Sequence, residues 1–258
     1  MAITLAGGCR VSDMREGDPF ELGSLKLWRR VDQEQGAQAI SLRVLEFLPG
    51  RSQGIRNTDC DEIFYLVGES NPVGIATVFI DGWPYEMKPD SGLYLRPNQT
   101  LTVHNPGPDG LVMISSRCPE PISTFDFVPP LTSPPPDAIR PDRAPVVSLY
   151  DKELTPTADR WYRVLVNDEI GSTNATQFVG SIPPGRAPDH FHQYEEVLFI
   201  MKGEGRMWAG ETNTPIKPGS CIYLPKGQVH CVENTGIDEL RLLGVFYPAG
   251  IPSVRYDV

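Results

Sequence analysis

Residues 185–234 gather three of the chain's four histidines, and their spacing limits how the chain can fold. His190 and His192 stand two residues apart, Glu196 follows four residues later, and His230 comes after a turn rich in proline and glycine. Three imidazoles and one carboxylate can hold a divalent transition metal and leave coordination positions open. A fold that uses this ligand set must bring His230 back to the first three residues.

Two strands folded against each other satisfy that requirement. Residues two apart on a strand share one face, so we expect His190, His192 and Glu196 to project to the same side. The apolar run that starts at Glu196 ends at a Lys-Gly pair, which is typical of a strand followed by a turn. Residues 219–224 predict a second strand, and the turn at 225–227 directs the chain back towards the first.

The same segment resembles the two conserved motifs of the cupin superfamily, G(X)5HXH(X)3–4E(X)6G and G(X)5PXG(X)2H(X)3N. Residues 185–203 read GRAPDHFHQYEEVLFIMKG and residues 219–234 read GSCIYLPKGQVHCVEN. The second motif agrees at every fixed position, whereas the first has four residues rather than five between Gly185 and His190. The resemblance implies a cupin barrel whose metal ligands are His190, His192, Glu196 and His230.

The first half of the chain reads as an altered second copy of this unit. The run EIFYLV at 62–67 parallels EVLFIM at 196–201, and the 26 prolines and 24 glycines favour a β chain rich in turns. We therefore predict an all-β fold of two cupin barrels, of the double-stranded β-helix or jelly-roll type. The predicted divisions are an N-terminal barrel over 1–118, an extended proline-rich linker over 119–150 and a C-terminal barrel over 151–258.

The N-terminal copy lacks the ligand set. Carried through the internal parallel, its ligand positions hold Arg56, Thr58, Glu62 and Leu101, and His104 falls three places past the last of them. Arginine and leucine side chains do not complete a transition-metal site. We expect the N-terminal barrel to be a metal-free scaffold.

Charge and cysteine usage narrow the partners. The formal net charge of -10 leaves no basic surface for nucleic acid or anionic lipid, and no apolar run reaches membrane-spanning length. The five cysteines show no CxxC spacing, which favours a reducing compartment. We expect a cytoplasmic homodimer that binds a small-molecule substrate, with neither nucleic-acid nor membrane partners.

The ligand set accepts several metals, so the reaction stays open at this point. We expect one divalent transition metal per chain, Fe²⁺ first, with Mn²⁺, Ni²⁺ or Zn²⁺ as alternatives. The resemblance implies a dioxygenase for a small aromatic or enolic compound, since cupins include flavonol- and gentisate-cleaving enzymes. The alternatives are a metal-assisted isomerase, lyase, decarboxylase or aminohydrolase that does not use dioxygen, and a non-catalytic bicupin that binds a small molecule.

Strand parity also predicts the walls of the site. A carboxylate ligand can detach and accept a proton, so Glu196 is the predicted catalytic base. Side chains sharing its face are apolar and partly aromatic, which favours a flat oxygenated organic molecule over a strongly charged one. An arginine after the next turn is predicted to reach a substrate carboxylate. The predicted substrate contacts are Tyr194, Leu198, Ile200, Val232 and Arg206.

Overall fold

The computed structural model describes residues 1–68, 74–119, 126–253 and 256–257. Regular structure in these residues consists of β-strands and four 3-10 helices, which confirms the prediction of an all-β chain. None of the helices found there is long or apolar enough to span a membrane. The 3-10 helices are Ala6–Gly8, Gln33–Gln35, Leu149–Asp151 and Asp168–Ile170.

Short strands account for nearly all of the architecture. The first fifteen are β1 Ile3–Thr4, β2 Arg10–Asp13, β3 Phe20–Leu22, β4 Leu25–Val31, β5 Leu42–Phe47, β6 Gly50–Arg51, β7 Gly54–Arg56, β8 Asp61–Leu66, β9 Ala76–Ile80, β10 Trp83–Met87, β11 Ser91–Leu95, β12 Thr100–Asn105, β13 Leu111–Cys118, β14 Asp126–Val128 and β15 Val146–Ser148. The others are β16 Thr155–Thr157, β17 Arg160–Val166, β18 Thr176–Ile182, β19 Gly185–Arg186, β20 His190–Phe191, β21 Glu195–Lys202, β22 Gly205–Ala209, β23 Thr212–Ile216, β24 Ser220–Leu224, β25 His230–Asn234, β26 Leu240–Tyr247 and β27 Tyr256–Asp257.

Each barrel consists of two antiparallel sheets. The N-terminal barrel joins a seven-stranded sheet, β15-β11-β8-β13-β5-β4-β3, to a six-stranded sheet, β10-β9-β12-β7-β14 with β6 on β12. The C-terminal barrel joins an eight-stranded sheet, β1-β2-β24-β21-β26-β18-β17-β16, to a six-stranded sheet, β23-β22-β25-β20-β27 with β19 on β25. The larger sheet of one barrel packs against that of the other, and three apolar cores form: one inside each barrel and one between them.

The beginning of the chain and the predicted linker both add strands to the barrels. Strand β2 from the chain's beginning pairs with β24 of the C-terminal barrel, and β15 pairs with β11 of the N-terminal barrel. Strand β14 also pairs with β7 of that barrel. The predicted extended linker over 119–150 therefore contains two strands, and residues 3–13 belong to the C-terminal sheet rather than to the predicted 1–118 unit. Both departures arise because a sheet edge pairs with any extended backbone that reaches it.

Two buried acids fasten the barrels to each other. Glu195 accepts hydrogen bonds from the Tyr223 hydroxyl and from the backbone N–H of Ala39, the latter at 2.7 Å. Asp61, at the equivalent place in the other barrel, accepts one from the Asn174 side chain at 2.8 Å. Because these contacts join residues far apart in sequence, they fix the relative orientation of the two barrels.

The internal repeat extends to individual hydrogen bonds. The Asn105 side chain donates to the Phe47 carbonyl at 2.9 Å, and the Asn234 side chain donates to the Ile182 carbonyl at 2.8 Å. Each asparagine closes the loop after its strand by accepting a bond from the N–H two residues later. The prediction that the chain contains two copies of one unit is confirmed.

Candidate metal centre

The three histidines of the motif converge where the two sheets of the C-terminal barrel meet. His190 on β20 lies directly opposite His230 on β25 in the antiparallel register. The chain leaves β20 at His192, bends, and enters the larger sheet at β21, which carries Glu196. The expectation of one continuous strand from His190 to Glu196 is therefore wrong, because the chain passes from one sheet to the other between them. Glu196 still faces the interior, since the parity of β21 places it on the same side as Leu198.

The imidazoles lie close enough to share one ion. Each of His190, His192 and His230 offers one ring nitrogen, and these three nitrogens all lie within 4.8 Å of one another. The ring centroids of His190 and His230 are 4.5 Å apart, and those of His192 and His230 are 5.2 Å apart. His192 and His230 are buried, while His190 is partly exposed. The cluster is thus sheltered by the barrel on one side and reachable from the other.

Hydrogen bonds orient two of these rings. The Nδ1 atom of His190 donates to the carbonyl of Pro188 at 3.0 Å, and Nδ1 of His230 donates to the carbonyl of Gln228 at 2.8 Å. A carbonyl oxygen only accepts, so each Nδ1 carries its hydrogen and each Nε2 keeps a lone pair. This is how proteins hold metal-ligating histidines in one tautomer.

Glu196 stands beside the imidazole group rather than within it. Its Oε2 lies 3.6 Å from Nε2 of His192, and the side chain is buried. Burial raises the pKa of Glu196 to about 8, because the ionised form loses its hydration. A cation in the adjacent cluster would favour the carboxylate, so the side chain is suited to a fourth ligand position.

Burial also keeps one of the histidines neutral. It lowers the pKa of His230 to about 4, with the neighbouring His190 as the second cause. Metal binding requires neutral imidazoles, so this ring is available as a ligand at ordinary pH. Nitrogen donors with one carboxylate fit a divalent first-row transition metal better than Ca²⁺ or Mg²⁺, which prefer oxygen.

A cavity of about 130 Å³ opens onto the cluster. Its walls include Leu198 and Val232, two of the predicted substrate contacts. The other lining residues, apart from the three histidines and Glu196, come mostly from the outer strands of the larger sheet: Thr157, Arg160, Trp161, Tyr162, Phe178, Gly180, Ser181, Ile182, Ala187, Leu242 and Pro252. Most of this wall is apolar.

The remaining predicted contacts lie elsewhere. Ile200 is fully buried deeper in the barrel core, and Tyr194 stacks on His192 with ring centroids 4.7 Å apart. Arg206 is exposed and donates to the Asn213 side chain at 2.6 Å. The structure therefore does not bring Arg206 into the cavity, because alternation along β22 turns it outwards.

Sequence reasoning missed the wall contributed by β17 and β18. Arg160, Trp161 and Tyr162 open β17, and Phe178 lies on β18 beside it. These residues lie outside both metal motifs, so motif spacing carried no information about them. The Ala-Asp turn before Arg160 was an available signal, but it does not say which barrel end the strands reach.

Comparison with known proteins agrees with this architecture. The family model described as Cupin domain matches residues 178–246. Auxin-binding protein 1 of Arabidopsis thaliana is 37% identical over 84 residues, covering 29% of this chain and 42% of that protein. The oxalate-binding protein of Thermotoga maritima is 36% identical over 66 residues, covering 25% and 54%. The chain thus spans about half the length of these curated relatives.

Solved structures extend the likeness to both barrels. A variant of oxalate decarboxylase from Bacillus subtilis superposes with a TM-score of 0.77 at 12% identity, over 96% of this chain and 79% of that one. Another structure of that enzyme, from work on its Mn(II) centres, superposes with a TM-score of 0.76 at 13% identity, over the same shares of the two chains. At this identity the match concerns the fold. Residues 178–246 thus match the cupin domain, and the described residues have a bicupin fold, two β-barrels of which the second carries the cupin motifs.

Proposed function

We propose that the C-terminal barrel is a metal-dependent enzyme centre for a small, mostly apolar organic molecule. One observation carries this proposal: three imidazoles, two of them oriented by backbone carbonyls, meet at a small cavity with apolar walls. A cavity of this kind with a few convergent polar groups is the usual form of a small-molecule site. His190, His192 and His230 would hold the ion, with Glu196 as the fourth ligand.

The protein's own groups have distinct tasks in such a centre. When bound, a divalent ion in this set supplies Lewis acidity and, as Fe²⁺ or Mn²⁺, access to oxygen chemistry. Leu198, Val232 and Phe178 exclude water and hold the apolar part of the substrate. Glu196 lies at the cavity wall, where its carboxylate can take a proton from a bound enol or phenol.

The reaction we favour is dioxygen-dependent oxidation or cleavage of a small aromatic or enolic compound. Its support is the apolar wall, together with a volume that matches one ring: a cavity of about 150 Å³ lined by apolar side chains holds benzene. Fe²⁺ is the ion we propose for this reaction, since it joins nitrogen and carboxylate ligands with open positions in many oxygenases.

A second reaction class has its own observation. The two-barrel fold is similar to that of oxalate decarboxylase, whose name denotes the removal of carbon dioxide from oxalate. A lyase or decarboxylase on this chain would need the same metal cluster, so the two classes share a centre and differ in their use of dioxygen. The homodimer and the cytoplasmic location stay predictions.

Metal binding and dioxygen use are tested separately. Purified chain treated with chelator is titrated with Fe²⁺ without air and with Zn²⁺, and the stoichiometry is measured by calorimetry. His192→Ala should weaken binding at least ~100-fold. Thr58→Ala, at the corresponding position of the N-terminal barrel, is the matched control and should leave affinity unchanged.

The Fe²⁺-loaded protein is then offered small phenols and enols in an oxygen electrode. Consumption that disappears in His192→Ala supports the dioxygenase, whereas turnover that persists under nitrogen supports the lyase class. An ion bound equally by both variants contradicts the proposed centre.

A further inference from the structure

We propose that Arg160 anchors the carboxylate of a small monocarboxylic acid whose apolar body occupies the cavity. This inference rests on the proposed function, because it concerns the substrate of the same site. It assigns the acid group to the protein's own guanidinium rather than to the metal, and it makes Arg160 a determinant of specificity.

The charge distribution of the cavity wall favours an anion beside Arg160. Among the described residues that line the cavity, Arg160 is the sole arginine or lysine, and it stands beside Trp161 and Ile182. A guanidinium beside apolar walls is partly desolvated, so an anion that reaches it forms a stronger bond than in open water. Neutral ligands gain nothing comparable there.

A hydrogen bond to Asp159 holds the Arg160 side chain in place. The side chain is 18% exposed, and its Nε donates to Oδ1 of Asp159 at 2.9 Å. Within the described ranges this is the one hydrogen bond of the Arg160 side chain, so the donors on its two terminal nitrogens are available for a ligand. The Asp159 side chain is 62% exposed, and water weakens its competition for the positive charge. Asp159 therefore fixes the side chain through Nε and leaves the end-on fork of the two terminal nitrogens for a carboxylate.

The volume of the cavity limits the size of the acid. The cavity of about 130 Å³ is slightly smaller than the apolar cavity of about 150 Å³ that accepts benzene. One ring or a short branched chain fills it, with the acid group directed to Arg160. A dicarboxylate such as oxalate would leave the walls formed by Phe178, Leu242 and Val232 without an apolar partner.

The test compares an acid with its uncharged twin on protein freed of metal. Binding of benzoate and benzamide is measured by calorimetry on the wild type, Arg160→Gln and Arg160→Lys. The wild type should bind benzoate at least ~10-fold tighter than benzamide, because the bonds are charge-assisted. Arg160→Gln should lose at least ~10-fold for benzoate and less than ~2-fold for benzamide. Arg160→Lys, which keeps the charge but not the fork, should fall between them.

Arg206→Gln is the matched control, since Arg206 lies outside the cavity on the outer face of β22. It should bind benzoate as the wild type does, and thermal unfolding of every variant verifies its folding. The proposal is overturned if benzoate and benzamide bind alike or fail to bind. It is equally overturned if Arg160→Gln leaves benzoate affinity unchanged, or if benzoate binds only after Zn²⁺ is added, which assigns the carboxylate to the metal. Failed Zn²⁺ binding beside Arg160-dependent benzoate binding would sink the metal enzyme while leaving this acid site intact.

Discussion

In the N-terminal barrel the inward carboxylate Glu62 pairs with Arg43 at 3.3 Å, whereas in the C-terminal barrel the inward carboxylate Glu196 stands beside an imidazole cluster. The strand registers show that Arg43 and Phe178 occupy equivalent positions in the two barrels. Arg43 faces Ser115 across β5 and β13, and Phe178 faces Gly244 across β18 and β26. A cation supplied by the chain in one barrel has therefore been replaced by an aromatic ring in the other.

A second exchange lies next to the first. Arg117 is opposite Glu62 in the N-terminal barrel, and its Nε donates to Sγ of Cys60 at 3.3 Å. The corresponding pair in the C-terminal barrel is Phe246 and Tyr194, whose rings stack with centroids 4.4 Å apart. One fold thus accommodates a buried carboxylate in two ways. The N-terminal barrel uses internal cations, whereas in the C-terminal barrel the proposed metal ion would supply the neutralising charge, and aromatic side chains surround the carboxylate.

The largest predicted effect comes from breaking the internal pair. Arg43→Ala leaves the buried Glu62 without its main cation, so the free energy of unfolding should fall by ~3–5 kcal/mol. Urea unfolding measures this. Replacing both Arg43 and Glu62 by Met should recover part of the loss, because this buried ion pair is then absent while the buried Arg117 guanidinium remains. A loss below ~1 kcal/mol in the single variant would show that the two barrels do not differ in this respect.

A smaller effect of opposite sign is expected at Glu196. Its pKa of about 8 in the folded, metal-free protein exceeds the ordinary value of 4.5, so unfolding releases a proton and stability falls as pH rises from 4.5 to 8. Glu196→Gln does not ionise and should raise the stability of the metal-free protein at pH 8 by ~1–3 kcal/mol. Chemical unfolding at pH 5 and pH 8 measures the difference, which should be smaller at pH 5.

The matched variant is Glu62→Gln, which leaves the Arg43 guanidinium buried without its carboxylate and should destabilise the protein. Metal affinity should fall in Glu196→Gln alone. Equal destabilisation by both substitutions would remove the distinction between the barrels.

An effect of similar size concerns the aromatic wall. A Cβ at Gly244 would clash with Cε1 of Phe178, so Gly244→Ala must push the ring towards the cavity, at ~1–3 kcal/mol of stability. Gly180→Ala is the control, because its Cβ would meet Phe178 and Leu242 at an ordinary 3.5 Å. Thermal unfolding should show a loss for the first and less than ~1 kcal/mol for the second. Equal losses would mean that Phe178 does not depend on Gly244 for its place.

The metal motif and the repeat were predictable because both depend on residues close in sequence. Spacing located the histidines, and the parity of β21 correctly placed Leu198 beside Glu196. Three features were not predictable. The bend after His192 depends on how the two sheets meet. The pairing of β2 with the C-terminal barrel and of β15 with the N-terminal barrel depends on which sheet edges lie near these strands. The position of Arg160 depends on the packing of β17. Each is decided by contacts between distant parts of the chain.

Metal content with crystallographic location of the ion tests the central claim most directly. The chain is loaded with Zn²⁺, the excess is removed, and anomalous scattering is recorded at the zinc edge. One ion per chain, bound by Nε2 of His190, His192 and His230, is the result that the difference between the barrels predicts. An ion beside Glu62, two ions per chain, or none at the three imidazoles would contradict it.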